Sequence, residues 1–212
     1  MTEVFDHLVE PPRADGQFYG VAIGVVTNNK DPEGLGRVKL VLPWMADDAE
    51  SNWARVATPM AGGGRGCYFL PEVGDEVLVA FEHGSPESPY VVGALWNGKD
   101  RPPVSNADGR NDVREIRSRS GHVIRLTDTG KAERIEIIDA GGRNSIVLST
   151  KDNKITITAG ADIVISAAGK LELSGNGVEI TSKADVKVEA KSALTASASG
   201  QLNIKGKLVN IN

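Results

Sequence analysis

The sequence is poor in the residues that staple or anchor a core. Cys67 is the single cysteine among 212 residues, which excludes an internal disulfide and any cysteine-clustered metal site. Aromatic residues make up only 5 % of the chain, and neither an aromatic residue nor a methionine lies beyond Trp96. A globular core of that size normally uses such side chains, so the two halves are expected to bury surface by different means. No N-terminal apolar stretch fits a signal peptide, and no run approaches the ~20 apolar residues of a membrane span. The chain is therefore expected to be made in the cytoplasm and to leave it, if it does, as part of something else. A net charge of -4 does not suit a general nucleic-acid binder, which usually carries a clustered basic surface.

Catalytic chemistry is equally thin. His7, His83 and His122 are isolated and lack metal-ligand spacing. Cys67 has no histidine near it and reads as a small buried hydrophobe. Gly62-Gly63-Gly64-Arg65-Gly66 resembles a phosphate cradle, but no Gly-Lys-Ser/Thr follows; a flexible interstrand loop is expected. Asp47, Asp48 and Glu50 form an acidic loop with no second carboxylate across a cleft, as glycoside hydrolysis would need. No catalytic residue, metal or cofactor is expected.

What is present is β structure. Residues 1–17, with Pro11-Pro12 and Asp15-Gly16, read as an extended arm. Short strands are predicted at Tyr19–Thr27, Arg37–Leu42, Trp53–Thr58, Glu76–Glu82 and Tyr90–Trp96, separated by turn-rich segments such as Asn28–Gly36. Five short strands in about 80 residues suggest a Greek-key barrel of the OB type over residues 18–97. Residues 98–113 carry Pro102, Pro103 and Gly109 without periodicity and form a linker. Trp44, Trp53 and Trp96 could stack bases on an OB face. Packing in the barrel or contact with a partner protein fits better, because basic residues do not cluster around them.

The last third is a repeat. Pairs of apolar residues, each spaced by one residue, occur at Ile146/Leu148, Ile155/Ile157, Ile163/Ile165, Leu171/Leu173, Val178/Ile180, Val186/Val188, Leu194/Ala196, Leu202/Ile204 and Val209/Ile211. Successive pairs lie 9, 8, 8, 7, 8, 8, 8 and 7 residues apart. Alternation puts each pair on one face of a strand and the mostly polar middle residue on the other. Two apolar residues per octad are too few for one chain wound alone to offset its ordering entropy. An ordinary sheet or single-chain solenoid accounts less well for so regular a period. The economical solution is an intertwined, triple-stranded β-helix prism over residues 114–212, in which three identical chains fill a common axis. Ile155, Ile157, Ile163, Ile165, Leu171, Leu173, Val178, Ile180, Val186, Val188, Leu202 and Ile204 are the expected trimer core. At ~4.7–4.9 Å per layer, nine octads would make a rod of roughly 40–45 Å. The expected fold is thus all-β: an N-terminal OB barrel followed by this prism.

The segments GVVTNNKDPEGLGRVKLVLPW (24–44), WARVATPMAGGGRGCYFLPEVGDEVLVAFEHGSPESPYVVGALWNGKDRPP (53–103) and IRSRSGHVIRLTDTGKAERIEIID (116–139) resemble phage baseplate assembly protein V and the VgrG spike proteins. In that family an OB domain leads into an intertwined trimeric β-helix with octad repeats. The resemblance implies the central spike of a contractile tail, in a phage or an injection particle, that caps the tube and is driven through the target cell envelope. It implies three partners besides the envelope: two further copies of the chain, a tail hub protein at the OB end, and a PAAR-type tip protein at the thin end. The sequence lacks a hub-like domain before the barrel and a lysozyme domain in the 98–113 linker, so the hub is expected to be a separate protein. It also lacks the iron-binding His-x-His needle of some members, since no histidine follows His122. Leu208, Val209, Asn210, Ile211 and Asn212 are then the expected docking surface for the tip protein. The competing class is an oligonucleotide- or oligosaccharide-binding OB module on a trimeric β stalk.

Overall fold

The structure is a computed structural model and describes residues 16–45 and 49–211. The expected arm, apart from Gly16 and Gln17, lies outside the described residues, as do Asp47 and Asp48 of the acidic loop.

Alternation of apolar side chains builds the first sheet. Strand β1 (Val21–Asn28) turns Ala22, Gly24 and Val26 inward, β2 (Lys39–Val41) contributes Leu40, and β3 (Arg55–Val56) follows. A hairpin of β4 (Ala61–Gly62) and β5 (Arg65–Gly66) precedes β6 (Glu76–Phe81), which buries Val77, Val79 and Phe81. Strand β7 (Pro89–Leu95) buries Val91. The strands lie in the order β2-β1-β6-β7-β3, all antiparallel except the parallel pair β3–β7. The two ends of this row meet. The Val38 amide donates to the Ala54 carbonyl at 3.0 Å, and the Ala54 amide donates to the Val38 carbonyl at 2.7 Å. The sheet therefore closes into a five-stranded barrel with one parallel contact, which is the OB fold read from the sequence.

The barrel is narrow, and its filling is small. Ala22, Val26, Val38, Leu40, Leu42, Ala54, Val77, Val79, Phe81 and Val91 form one buried cluster. Gly24 sits on the inward face where a Cβ would lie 3.1 Å from Val79 Cγ2 and 3.3 Å from Leu42 Cδ2. Phe18 stacks on Trp44 with ring centroids 4.9 Å apart, and both meet Phe81 edge-on. The connection between β1 and β2 is organised by Asp31. Its carboxylate accepts from the amides of Glu33, Leu35 and Arg37 and from the Arg37 guanidinium, at 2.8 to 3.3 Å. The Arg37 side chain first, and these amides with it, hold the Asp31 carboxyl well below the usual carboxylate range.

The Gly62–Gly66 segment, expected to be a flexible loop, is the β4–β5 hairpin. Gly64 has φ +65°, and a Cβ on Gly66 would lie 2.5 Å from the Met60 carbonyl oxygen. These glycines make a tight turn and a close backbone approach; no helix N-terminus is there to receive a phosphate.

A second sheet follows a strand-free stretch. Strands β8 (Val113–Arg117), β9 (Val123–Thr127), β10 (Arg134–Ile138), β11 (Ser145–Ser149) and β12 (Lys154–Thr158) pair antiparallel in chain order. The repeat's first two pairs, Ile146/Leu148 and Ile155/Ile157, thus belong to a hairpin of this meander, with a nine-residue step between them. The chain divides into two units after Gly160. In the second unit no strand is paired among the described residues, yet the backbone keeps the octad rhythm. Bends fall at 160–161, 168–169, 175–176, 183–184, 191–192, 199–200 and 207–208, with extended runs between them.

Two measurements follow. Gly24→Val is expected to lower barrel stability by about 1–3 kcal/mol through overpacking against Val79 and Leu42, read as a reduced urea midpoint with an unchanged slope. The depressed Asp31 carboxyl has a stabilising effect that is fully present above the ordinary carboxylate pKa of about 3.9 and is lost only as pH falls through the lower folded value. The amides of Glu33, Leu35 and Arg37 are therefore expected to keep their hydrogen-exchange protection from pH 7 down to about 4, and Asp31→Ala is expected to abolish it at every pH.

Candidate assembly interface

The two faces of the meander differ in kind. Register places Ile116 opposite Ile124, Ile124 opposite Ile137, Ile137 opposite Ile146 and Ile146 opposite Ile157. A second row runs through Leu126, Ile135, Leu148 and Ile155, with Arg114 at its edge, where it pairs with Asp128. Nine large apolar side chains thus share one face. All nine are exposed on the single chain, from 38 % for Ile146 and Leu148 to 68 % for Ile155. A pocket lined by Ile116, Ile124, Ile137, Ile146 and Ile157 opens on that face. The opposite face carries Glu115, Arg125 and Glu136 and is largely closed over by its own side chains.

The extended runs repeat this property at higher density. Each run from 162 to 206 places its pair at the second and fourth positions, as in Asp162-Ile163-Val164-Ile165 and Gln201-Leu202-Asn203-Ile204. Every expected core residue from Ile163 to Ile204 is exposed, from 54 % for Ile163 to 73 % for Ile180. Their middle residues are polar, Glu172, Glu179, Lys187, Thr195 and Asn203, except Val164 in the first run, which is exposed. Leu208, Val209 and Ile211 are also exposed; Asn212 lies outside the described residues.

The area expresses the same fact. The chain has 17,931 Å² of accessible surface, whereas a folded monomer of 22.4 kDa is expected to have about 9,400 Å². An excess of this size is larger than the ~2,000–5,000 Å² that obligate interfaces usually bury. Backbone groups in an extended run without a ladder also lack the pairing that a folded chain normally supplies.

The remaining candidates resolve individually. The His122 Nδ1 accepts from the Ala140 amide at 3.2 Å, and the His122 amide donates to Ser118 Oγ, which makes it a turn residue. His83 sits in a single 3₁₀ turn, Glu82–Gly84, with φ +49°. The Cys67 amide donates to Met60, and its carbonyl accepts from Thr58 Oγ1, within the base of the glycine hairpin. Glu50 pairs with Lys39 at 3.1 Å, and that contact holds its carboxyl below the usual value. Trp53 lies under Arg37 and Lys39. Both cations are already paired, with Asp31 and Glu33 and with Glu50, so the indole lacks the free positive charge that single-stranded nucleic acid requires. Trp44 packs on the barrel end and Trp96 is exposed. Among the described residues no group of three His, Cys, Asp or Glu side chains could hold a metal ion, and no helix is long and apolar enough to cross a membrane.

The described residues thus form a closed OB barrel and, after it, β structure whose apolar face one chain does not cover. Residues 22–96 match the type VI secretion system/phage-baseplate injector OB domain. The match covers the barrel alone, and the chain is similar there and just beyond to spike proteins of the VgrG type. It is 31 % identical over 101 residues to the type VI secretion system spike protein VgrG3 of Vibrio cholerae, an alignment covering 46 % of this chain and 10 % of the relative. It is 29 % identical over 126 residues to the spike protein VgrG2a of Pseudomonas aeruginosa, covering 56 % and 15 %. It is 38 % identical over 96 residues to the spike protein VgrG5 of the same organism, covering 43 % and 12 %. The chain therefore aligns with only a small part of the length of these relatives.

Proposed function

We propose that three copies of this chain form the central spike of a contractile tail or injection-system baseplate, with a mechanical and not a catalytic role. The single observation that carries this reading is that apolar residues at alternate positions, on one face of β8–β12 and again in every run of the octads, are left uncovered in one chain. Threefold packing would place the Ile116–Ile157 and Leu126–Ile155 rows of the meanders around a common axis. Beyond β12 the backbone has no partner in its own chain, so the octads of three copies would wind together and supply each other's ladders. Stability then belongs to the assembly and depends on concentration.

The working parts follow the sequence. The barrel, residues 18–97, would couple the spike to a separate hub protein at the tube mouth. The segment 98–113 connects it to the prism, residues 114–212. The prism concentrates the force of sheath contraction on a narrow end and pierces the target envelope. A stack of β layers resists bending because every internal backbone group pairs with the layer above and below, leaving no lateral edge. The exposed Leu208, Val209 and Ile211, with Asn210 and Asn212, would seat a PAAR-type tip protein. The particle is a virion baseplate or a secretion apparatus.

Two tests address this function. Sedimentation of the purified chain at micromolar concentration is expected to give three chain masses; a monomer would overturn the proposal. Ile165→Asp would place three carboxylates on the dry axis, each costing several kcal/mol unless paired, and is expected to abolish the trimer while leaving barrel hydrogen-exchange protection unchanged. In the native particle, a gold-labelled copy is expected at one end of the tube. Uniform labelling along the tube or sheath would exclude the spike role.

A further inference from the structure

We propose that the charged column Glu115–Arg125–Glu136 sets the strand register of the meander. The proposal concerns one chain and stands whatever the number of copies. The apolar face cannot set register by itself. Apart from Arg114 at its edge its strand residues are isoleucine or leucine, so a slip of two residues, which preserves the faces, still brings some of them together: Ile124 against Ile135, or Ile116 against Leu126. Only a slip of one residue would be rejected by the inside–outside pattern.

The opposite face behaves differently. In the observed register Glu115 lies opposite Arg125, and Arg125 opposite Glu136. The Arg125 Nε donates to Glu115 Oε2 at 2.5 Å, and its Nη1 lies 3.8 Å from Glu136 Oε2. Arg117 holds the other Glu115 oxygen at 2.7 Å, and Arg134 approaches Glu136 at 3.0 Å. A two-residue slip of β9 on β10 in one direction would place Arg125 opposite Arg134, and in the other would leave Glu136 opposite Thr127. The matching slips of β8 on β9 would place Arg117 opposite Arg125, or leave Glu115 opposite Val123. Each slip either juxtaposes like charges or separates a carboxylate from its cation, and both are unfavourable across strands.

Burial makes the penalty effective. The Glu115 side chain is 2 % exposed and that of Glu136 11 %, so a slipped carboxylate would lose Arg125 and keep only the arginine of its own strand, Arg117 for Glu115 and Arg134 for Glu136. Glu136 Oε2 is buried and lacks a well-formed hydrogen bond even in the native register. That imperfection fits a group retained for specificity better than one retained for stability, a role established for some buried polar groups.

Cysteine pairs in the full chain, with Cys67→Ser, read the register directly. I124C/I137C reports the native pairing. I124C/I135C reports the slip that would oppose Arg125 and Arg134; in the native register this pair is diagonal and too distant to bridge. Intrachain disulfides are scored by peptide mapping, with isotope-mixed chains to separate links between copies. With the column intact the second pair is expected at background. In the E115L/R125L/E136L variant its yield is expected to rise by about tenfold, as the charge penalty is removed while the faces are kept. An unchanged yield in a folded variant would overturn the proposal and assign register to the turns. If the triple variant fails to fold, E115Q/R125Q/E136Q, which keeps the column polar but uncharged, carries the test with the same direction of change; there too a background yield would contradict it.

Discussion

Apolar residues at every second position, uncovered within their own chain, govern the rest of this structure. A strand with one apolar face must bury that face, and its backbone must find a ladder. In the barrel both needs are met inside one chain, because five strands close on themselves through the Val38–Ala54 bridge. In the meander the ladder is satisfied but the Ile/Leu face is not covered. In the octads neither need is met. The part of these needs left unmet within one chain thus increases along the sequence, from the closed barrel through the meander to the octads.

The composition follows from this gradient. Aromatic side chains serve a closed core, and Phe18, Trp44 and Phe81 pack at the barrel. The proposed prism axis, shared by identical chains, would have room for medium aliphatic residues repeated at each level. Large rings are absent after Trp96, where Ile, Leu and Val carry the apolar positions.

Sequence periodicity was informative wherever the period lay within a single strand. The five barrel strands begin and end within about two residues of their expected positions. The bends in the second unit follow the octads, because both arise from alternation that a reader can count. Features that depend on partners far away in the chain were not legible. The β4–β5 hairpin consists of two-residue strands built from glycine, alanine and arginine, too short for any period. Ile146/Leu148 and Ile155/Ile157 share the octad pattern with later pairs, but the turn at 150–153 folds them into an antiparallel hairpin. The Glu115–Arg125–Glu136 column is formed by residues 10 and 11 positions apart, and it emerges only once the register is known. Asp31 read as one more turn residue in the sequence; its role as acceptor for three amides and a guanidinium needed the loop geometry.

Hydrogen exchange across residues 162–211 tests the dependence on neighbouring chains most directly. No backbone ladder exists for these residues within one chain, so any protection there must come from other copies. Strong and uniform protection in every extended run at micromolar concentration, lost on dilution or dissociation into single chains, is the expected result. Exchange at the rate of an unstructured peptide throughout the octads, in a chain whose barrel amides are protected, would contradict the account.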